Sequence, residues 1–189
     1  MKHATVLVAT VLIFLFAGSV GGVDAQTSYS HLVVIVGAAG DDVYQEVFHN
    51  WAIELIDAAT NKLSLSPDQA TYLGERPDLS PQRIAARSSR ENIEKTIARL
   101  GKETGPDDQI FFVLIGHGTG AGEQSRFNIP GRDITALEYD GMLSVLATQE
   151  IGFVNTASAS GDFARVLSGL NRVIVTATRD GRQNNQTIF

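Results

Sequence analysis

The chain has 189 residues, with fifteen Lys and Arg against twenty-one Asp and Glu, a formal charge of -6 and no cysteine. That length suits one domain whose interior can hold an open sheet and its helices without staples. The negative balance opposes a phosphate backbone and argues against nucleic acid as a partner, while the missing thiols exclude disulfides, thiol catalysis and thiolate metal sites.

Residues 1–25 read as a secretory signal peptide, with Lys2 and His3 ahead of an apolar run over 4–17, and Val23 and Ala25 supplying small residues before the cut. The run is shorter than the roughly 20 residues that span a bilayer. Cleavage is therefore expected, giving a secreted or periplasmic domain over 30–189 with no membrane contact. The alternative is an uncleaved segment that serves as an anchor.

An apolar strand over 31–37 leads into Gly37-Ala38-Ala39-Gly40-Asp41-Asp42 and a helix that either aspartate can cap. Tyr44, Val47, Phe48, Trp51, Ile53, Leu55 and Ile56 recur mostly at steps of three and four, which predicts one face packed on a sheet. His49 falls on the other side and is expected to be solvated. Strand, glycine turn and helix together raise a dinucleotide-binding reading. The third glycine of Gly-x-Gly-x-x-Gly is absent, however, and two carboxylates stand where a pyrophosphate would need the positive helix end. No cofactor is expected, and since His31, His49 and His117 show no His-x-x-x-His spacing, no metal either.

A second strand is expected over 69–73. Ser88 and Glu91 then read as the capping box of a helix carrying Ile93, Ile97 and Leu100 and closed by Gly101 and Gly105-Pro106. Residues 110–115 are six apolar residues in a row, as in a strand covered on both faces. The run stops at Gly116-His117-Gly118. A glycine-rich loop follows, in which Glu123, Arg126 and Arg132 are either pocket charges or ordinary surface residues. Asp133 is the expected cap of a helix through Leu137, Met142, Leu143 and Leu146. Strands over 151–154 and 172–178 bracket a short helix through Phe163, Val166 and Leu167, so Ser158 and Ser160 follow the first of these strands. Alternating strands and helices with short links predict an α/β fold with a mostly parallel sheet.

Ligands of open α/β sheets sit at the carboxyl ends of strands, which places His117 for chemistry, although a strand-end histidine also serves simply to bind backbone. If consecutive strands are neighbours, the tips carrying His117 and Ser158 face one crevice. The backbone N–H groups of Gly118 and Ser158 could then form an oxyanion hole, with His117 the base for the Ser158 hydroxyl. No third group that would orient the imidazole is visible. Asp107 and Asp108 lie at the far end of the same strand, roughly 25 Å away by strand rise.

Gly116-His117-Gly118 and Asn155-Thr156-Ala157-Ser158-Ala159-Ser160-Gly161, each ending an apolar strand, resemble the paired catalytic segments of the caspase-like peptidases, the group of caspases, legumains and gingipains. In element order the resemblance covers 32–189. It implies a caspase-haemoglobinase-like three-layer sandwich, a catalytic place for His117, an oxyanion place for Gly118, and Ser158 where the family has its catalytic cysteine, whose amide also serves the oxyanion. Residues 126–131, Arg-Phe-Asn-Ile-Pro-Gly, and 176–179, Thr-Ala-Thr-Arg, are similar to segments of a bacterial, exported set of such proteins. Two features depart from the family. The acidic residue often found two places before the cysteine is Thr156, and the family sheet usually has a further strand and helix beyond the last residue here, so either the fold closes early at its C-terminus or the sequence is a fragment.

A hydroxyl ionises far less readily than a thiol. The expected function is thus a catalytically degenerate, exported caspase-like domain that binds a peptide or protein. The alternative is a hydrolase in which Ser158, activated by His117, cleaves a peptide or ester bond.

Overall fold

The computed structural model describes residues 29–120, 122–180 and 182; the expected signal peptide and the chain beyond 182 lie outside the described residues. In chain order the first half holds β1 (Ser30–Val36), α1 (Asp42–Lys62), β2 (Ala70–Gly74), β3 (Ala86–Arg87), α2 (Arg90–Glu103) and β4 (Gln109–Ile115). The second half holds β5 (Gly118–Thr119), β6 (Arg126–Phe127), β7 (Ile134–Thr135), α3 (Ala136–Leu143), β8 (Glu150–Asn155), α4 (Gly161–Leu167) and β9 (Arg172–Thr176). Six strands form one parallel sheet in the order β3-β2-β1-β4-β8-β9, and β5, β6 and β7 form a small antiparallel sheet.

The expected α/β architecture is present, with helices on both faces of the sheet. Alternate residues of each strand point to opposite faces. Val33, Ile35, Phe112, Leu114, Ile151 and Phe153 therefore meet α2, α3 and α4 on one side, while Leu32, Val34, Val36 and Tyr72 meet Phe48, Ala52, Ile56 and Ala59 of α1 on the other. The central strands β1 and β4 are buried through most of their length, as their unbroken apolar runs require. On the α1 side the cover thins toward the β9 edge, where Phe111, Val173 and Val175 stay exposed and the Phe111 ring lies over Gly152.

Several local expectations are corrected. Trp51 does not belong to the buried stripe of α1: it is 50% exposed, because the stripe runs through the small Ala52 and Ala59, which let the helix lie close to the sheet. His49 is not simply solvated, since its Nδ1 lies 3.0 Å from the Tyr72 hydroxyl and the two rings stack. Ser89, not Ser88, caps α2, by accepting from the Asn92 amide at 3.4 Å, whereas Ser88 is buried. Thr135, not Asp133, caps α3 in a reciprocal box with Glu138, while Asp133 accepts from the Ile129 amide at 3.1 Å. The antiparallel β5-β6-β7 sheet escapes sequence reading because strands of two residues are too short to show a period.

The sheet order makes the β1–β4 boundary the switch point, since the chain leaves β1 toward β2 and then returns past it to β4. Ligand crevices form at such points, but Phe127 of β6 fills this one. Its ring is fully buried against Gly37 and Gly116, where added Cβ atoms would lie 2.9 and 3.1 Å from it. The Ala38 amide donates to the Asn128 carbonyl at 3.0 Å, which closes the gap from the same side.

Candidate functional site

His117 follows β4 directly and is half-buried. Its Nε2 lies 3.1 Å from the Ala39 carbonyl oxygen. A carbonyl can only accept, so Nε2 carries the proton of this hydrogen bond and, in the neutral ring, Nδ1 keeps the lone pair. Two rings of α1 hold the imidazole edge-on: Tyr44 with centroids 4.8 Å apart and an interplanar angle of 83°, and Phe48 at 5.2 Å and 66°. The orienting group missing from the sequence reading is thus the backbone of Ala39. No sequence signal could name it, because every residue carries a carbonyl.

Ser158 lies in the turn after β8, and the neighbouring positions of β4 and β8 bring its tip against that of His117. Thr156 ties the two tips together, its amide and hydroxyl both donating to the Leu114 carbonyl at 3.0 and 2.8 Å. At Gly118 the approach is closer still, since a Cβ there would sit 2.2 Å from the Ser158 carbonyl oxygen and 3.2 Å from the Ala157 methyl. Only glycine fits that position without moving backbone. Ala159 takes a left-handed φ of 54°, an uncommon state for a residue with a side chain. Ser160 then accepts from the amides of Ala177 and Thr178 at 3.2 and 3.3 Å, pinning the turn to the end of β9.

The two side chains share no hydrogen bond. The Ser158 hydroxyl instead donates to the Gly118 carbonyl at 3.1 Å. The Asn128 amide donates to the His117 carbonyl at 3.0 Å, which makes Gly118 and Phe127 a non-hydrogen-bonded pair of the β5–β6 ladder. The Gly118 N–H consequently faces away from β6, the orientation an anion-holding donor needs.

The start of α1 is unlike a phosphate cradle. The Asp41 carboxylate accepts the Tyr44 amide at 2.8 Å and the Glu75 carboxylate accepts the Ala39 amide at 3.0 Å, so negative side chains already occupy donors that a pyrophosphate would use. Among the described residues no group of three or more His, Cys, Asp or Glu could hold a metal ion, and no helix is long and apolar enough to cross a membrane.

The chain matches no protein-family model and no curated protein.

The remaining charged candidates are less central. Arg126 is half-buried and donates to the Gln124 carbonyl at 3.2 Å, Arg132 pairs with Glu138 at the start of α3, and the side chain of Glu123 lies outside the described part. Asp108 sits at the opposite end of β4, where it accepts from the amides of Tyr29 and Gly105 at 2.7 and 2.8 Å. On the β2 side of α1, burial first and then the Arg83 charge hold the His49 pKa below its ordinary value.

Proposed function

We propose that this chain is an exported, caspase-like domain that binds an extended peptide or protein segment at the adjoining His117 and Ser158 tips without cutting it. The observation that carries this reading is the hydrogen bond from the Ser158 hydroxyl to the Gly118 carbonyl. A hydroxyl held by a carbonyl, and not by a base, lacks the activation that attack at neutral pH demands. His117 still offers a peptide an oriented imidazole, beside the Gly118 N–H that faces away from β6. In the caspase-like arrangement Ser158 occupies the place of the nucleophile, His117 that of its base, and the amides of Gly118 and Ser158 those of the oxyanion donors.

The Ala39 carbonyl favours the second reading, an active Ser158 hydrolase, because it gives His117 the fixed tautomer and orientation that a base requires. One set of assays separates the two. Wild-type protein incubated with a peptide library should retain peptides without turnover, and a fluorophosphonate probe should leave Ser158 unlabelled from pH 6 to 9. Turnover that His117→Ala abolishes would overturn the binding reading in favour of the hydrolase. Ser158→Cys, which supplies a readily ionised nucleophile beside the oriented imidazole, should gain peptide cleavage; an inert Ser158→Cys protein would count against the caspase-like reading of the site.

A further inference from the structure

We infer that Glu75 is a positioning residue for His117, acting through Ala39. The inference rests on the reading of His117 as the group that this site presents to its ligand.

Glu75 directly follows β2, the neighbour of β1, and so stands beside the loop that carries Ala39. Its Oε2 accepts the Ala39 amide at 3.0 Å and the Gln45 side-chain amide at 3.4 Å. The Ala39 carbonyl, one residue's length away, accepts from His117 Nε2 at 3.1 Å. Ala39 is thus pinned at both ends, by a carboxylate on its N–H and by the imidazole on its C=O. It is also 3% exposed, so neither polar group has water to fall back on.

The rest of the loop cannot fix that carbonyl alone. Gly40, next in the chain, has a φ of +83° and an ideal Cβ position with nothing within 4 Å, which leaves this end of the turn free of packing. What holds the Ala39 unit is the Asn128 bond to Ala38 on one side and Glu75 on its own amide. Gln45 steadies the Glu75 carboxylate and in turn accepts from Arg76 at 3.4 Å, so the arrangement draws on α1 as well as on the end of β2.

The test compares Glu75→Gln with Glu75→Leu in the full chain. The two side chains are close in size, but only glutamine keeps an oxygen that can accept the Ala39 N–H. The readout is exchange of the His117 Nε2 proton with water, followed by 1H–15N NMR of the ring and assigned with His117→Ala. Chemical denaturation of each variant verifies that it is folded, and the His49 ring serves as internal reference. The expected result is exchange at least about tenfold faster in Glu75→Leu, the size of losing one hydrogen bond to a charged group, with Glu75→Gln staying close to wild type. Equal exchange in the two variants would overturn the inference, because a residue that only fills space cannot distinguish them. The readout does not depend on peptide binding, so a wild type that binds no peptide removes the proposed function and leaves this result standing.

Discussion

The tips of β4 and β8 lie against each other, yet they are built from opposite materials. His117, beyond β4, is held by large or charged side chains from other elements: Tyr44 and Phe48 of α1, and Glu75 through Ala39. Ser158, beyond β8, is held by the smallest residues of the chain, with Ala157, Ala159, Ser160 and Gly161 all buried and tied by backbone and hydroxyl bonds to β4 and β9. The histidine side should fail when a group is removed, and the serine side when one is added. That asymmetry follows from packing: a ring leaves a void when deleted, whereas a turn pressed against a neighbouring backbone has no room to grow.

The largest effect should come from Phe48→Ala. Phe48 is 4% exposed and touches the rings of Tyr44, Trp51 and His117, so its loss should cost about 3–5 kcal/mol in urea unfolding and loosen the imidazole. An undiminished midpoint would mean that α1 does not hold the histidine. Next in size is Gly118→Ala, whose new methyl meets the Ser158 carbonyl at 2.2 Å and the Arg126 carbonyl at 3.1 Å. Both obstacles are backbone, so the tips must part. A loss of about 1–3 kcal/mol is expected, together with slower or lost peptide binding. Gly141→Ala makes a fair control, since a Cβ within α3 at that position meets nothing within 4 Å; this exchange should leave stability equal or slightly raised.

How much of this arrangement the sequence reveals depends on whether the cause is local. The strand that delivers His117 is legible because six apolar residues in a row mark a strand covered over most of both faces, with Phe111 the exception toward the β9 edge, and the glycines around the histidine mark the end of the run. The meeting of His117 with Ser158 is legible only through the tendency of successive strands to pair, and here β5, β6, β7 and α3 intervene between β4 and β8 without separating them. Ala39 and Glu75 are not legible at all. One contributes only its backbone, the other lies 42 residues from the histidine it serves, and the link appears only once β2 and β4 take their places on either side of β1. Trp51 misleads for a related reason: a three-and-four periodicity locates the apolar side of a helix, but which residues lie closest to the sheet is decided by how near alanines let the helix approach.

Apart from that control, the smallest expected effect concerns the anchor of the small antiparallel sheet, the element that carries Gly118 to the serine side. Glu138, in the first turn of α3, accepts from the Thr135 amide and hydroxyl at 2.9 and 3.0 Å and pairs with Arg90 of α2 at 3.0 Å. Partial burial pushes its carboxyl up, but the Thr135 and Arg90 contacts outweigh this and bring the pKa down to about 2, from an ordinary 4.5. A carboxyl whose folded pKa is depressed stabilises the fold above its unfolded pKa and loses that contribution as pH falls toward the folded one. Stability should therefore drop between about pH 4.5 and pH 2 by roughly 1–2 kcal/mol, a value discounted for the solvent that reaches this group. Glu138→Gln should lower stability at pH 6 by a similar amount and flatten the acid slope in the same window. Because α3 follows β7 directly and β7 pairs with β6, the variant should also loosen β5 and with it Gly118, while the imidazole between Tyr44 and Phe48 stays in place. Backbone amide exchange at Thr119 and Asn128, the amides that face across the β5–β6 ladder, that rises in this variant, with the ring signals of His117 unmoved, would show that the two tips are held independently; joint movement of both would mean that the asymmetry between them is one of composition and not of mechanics.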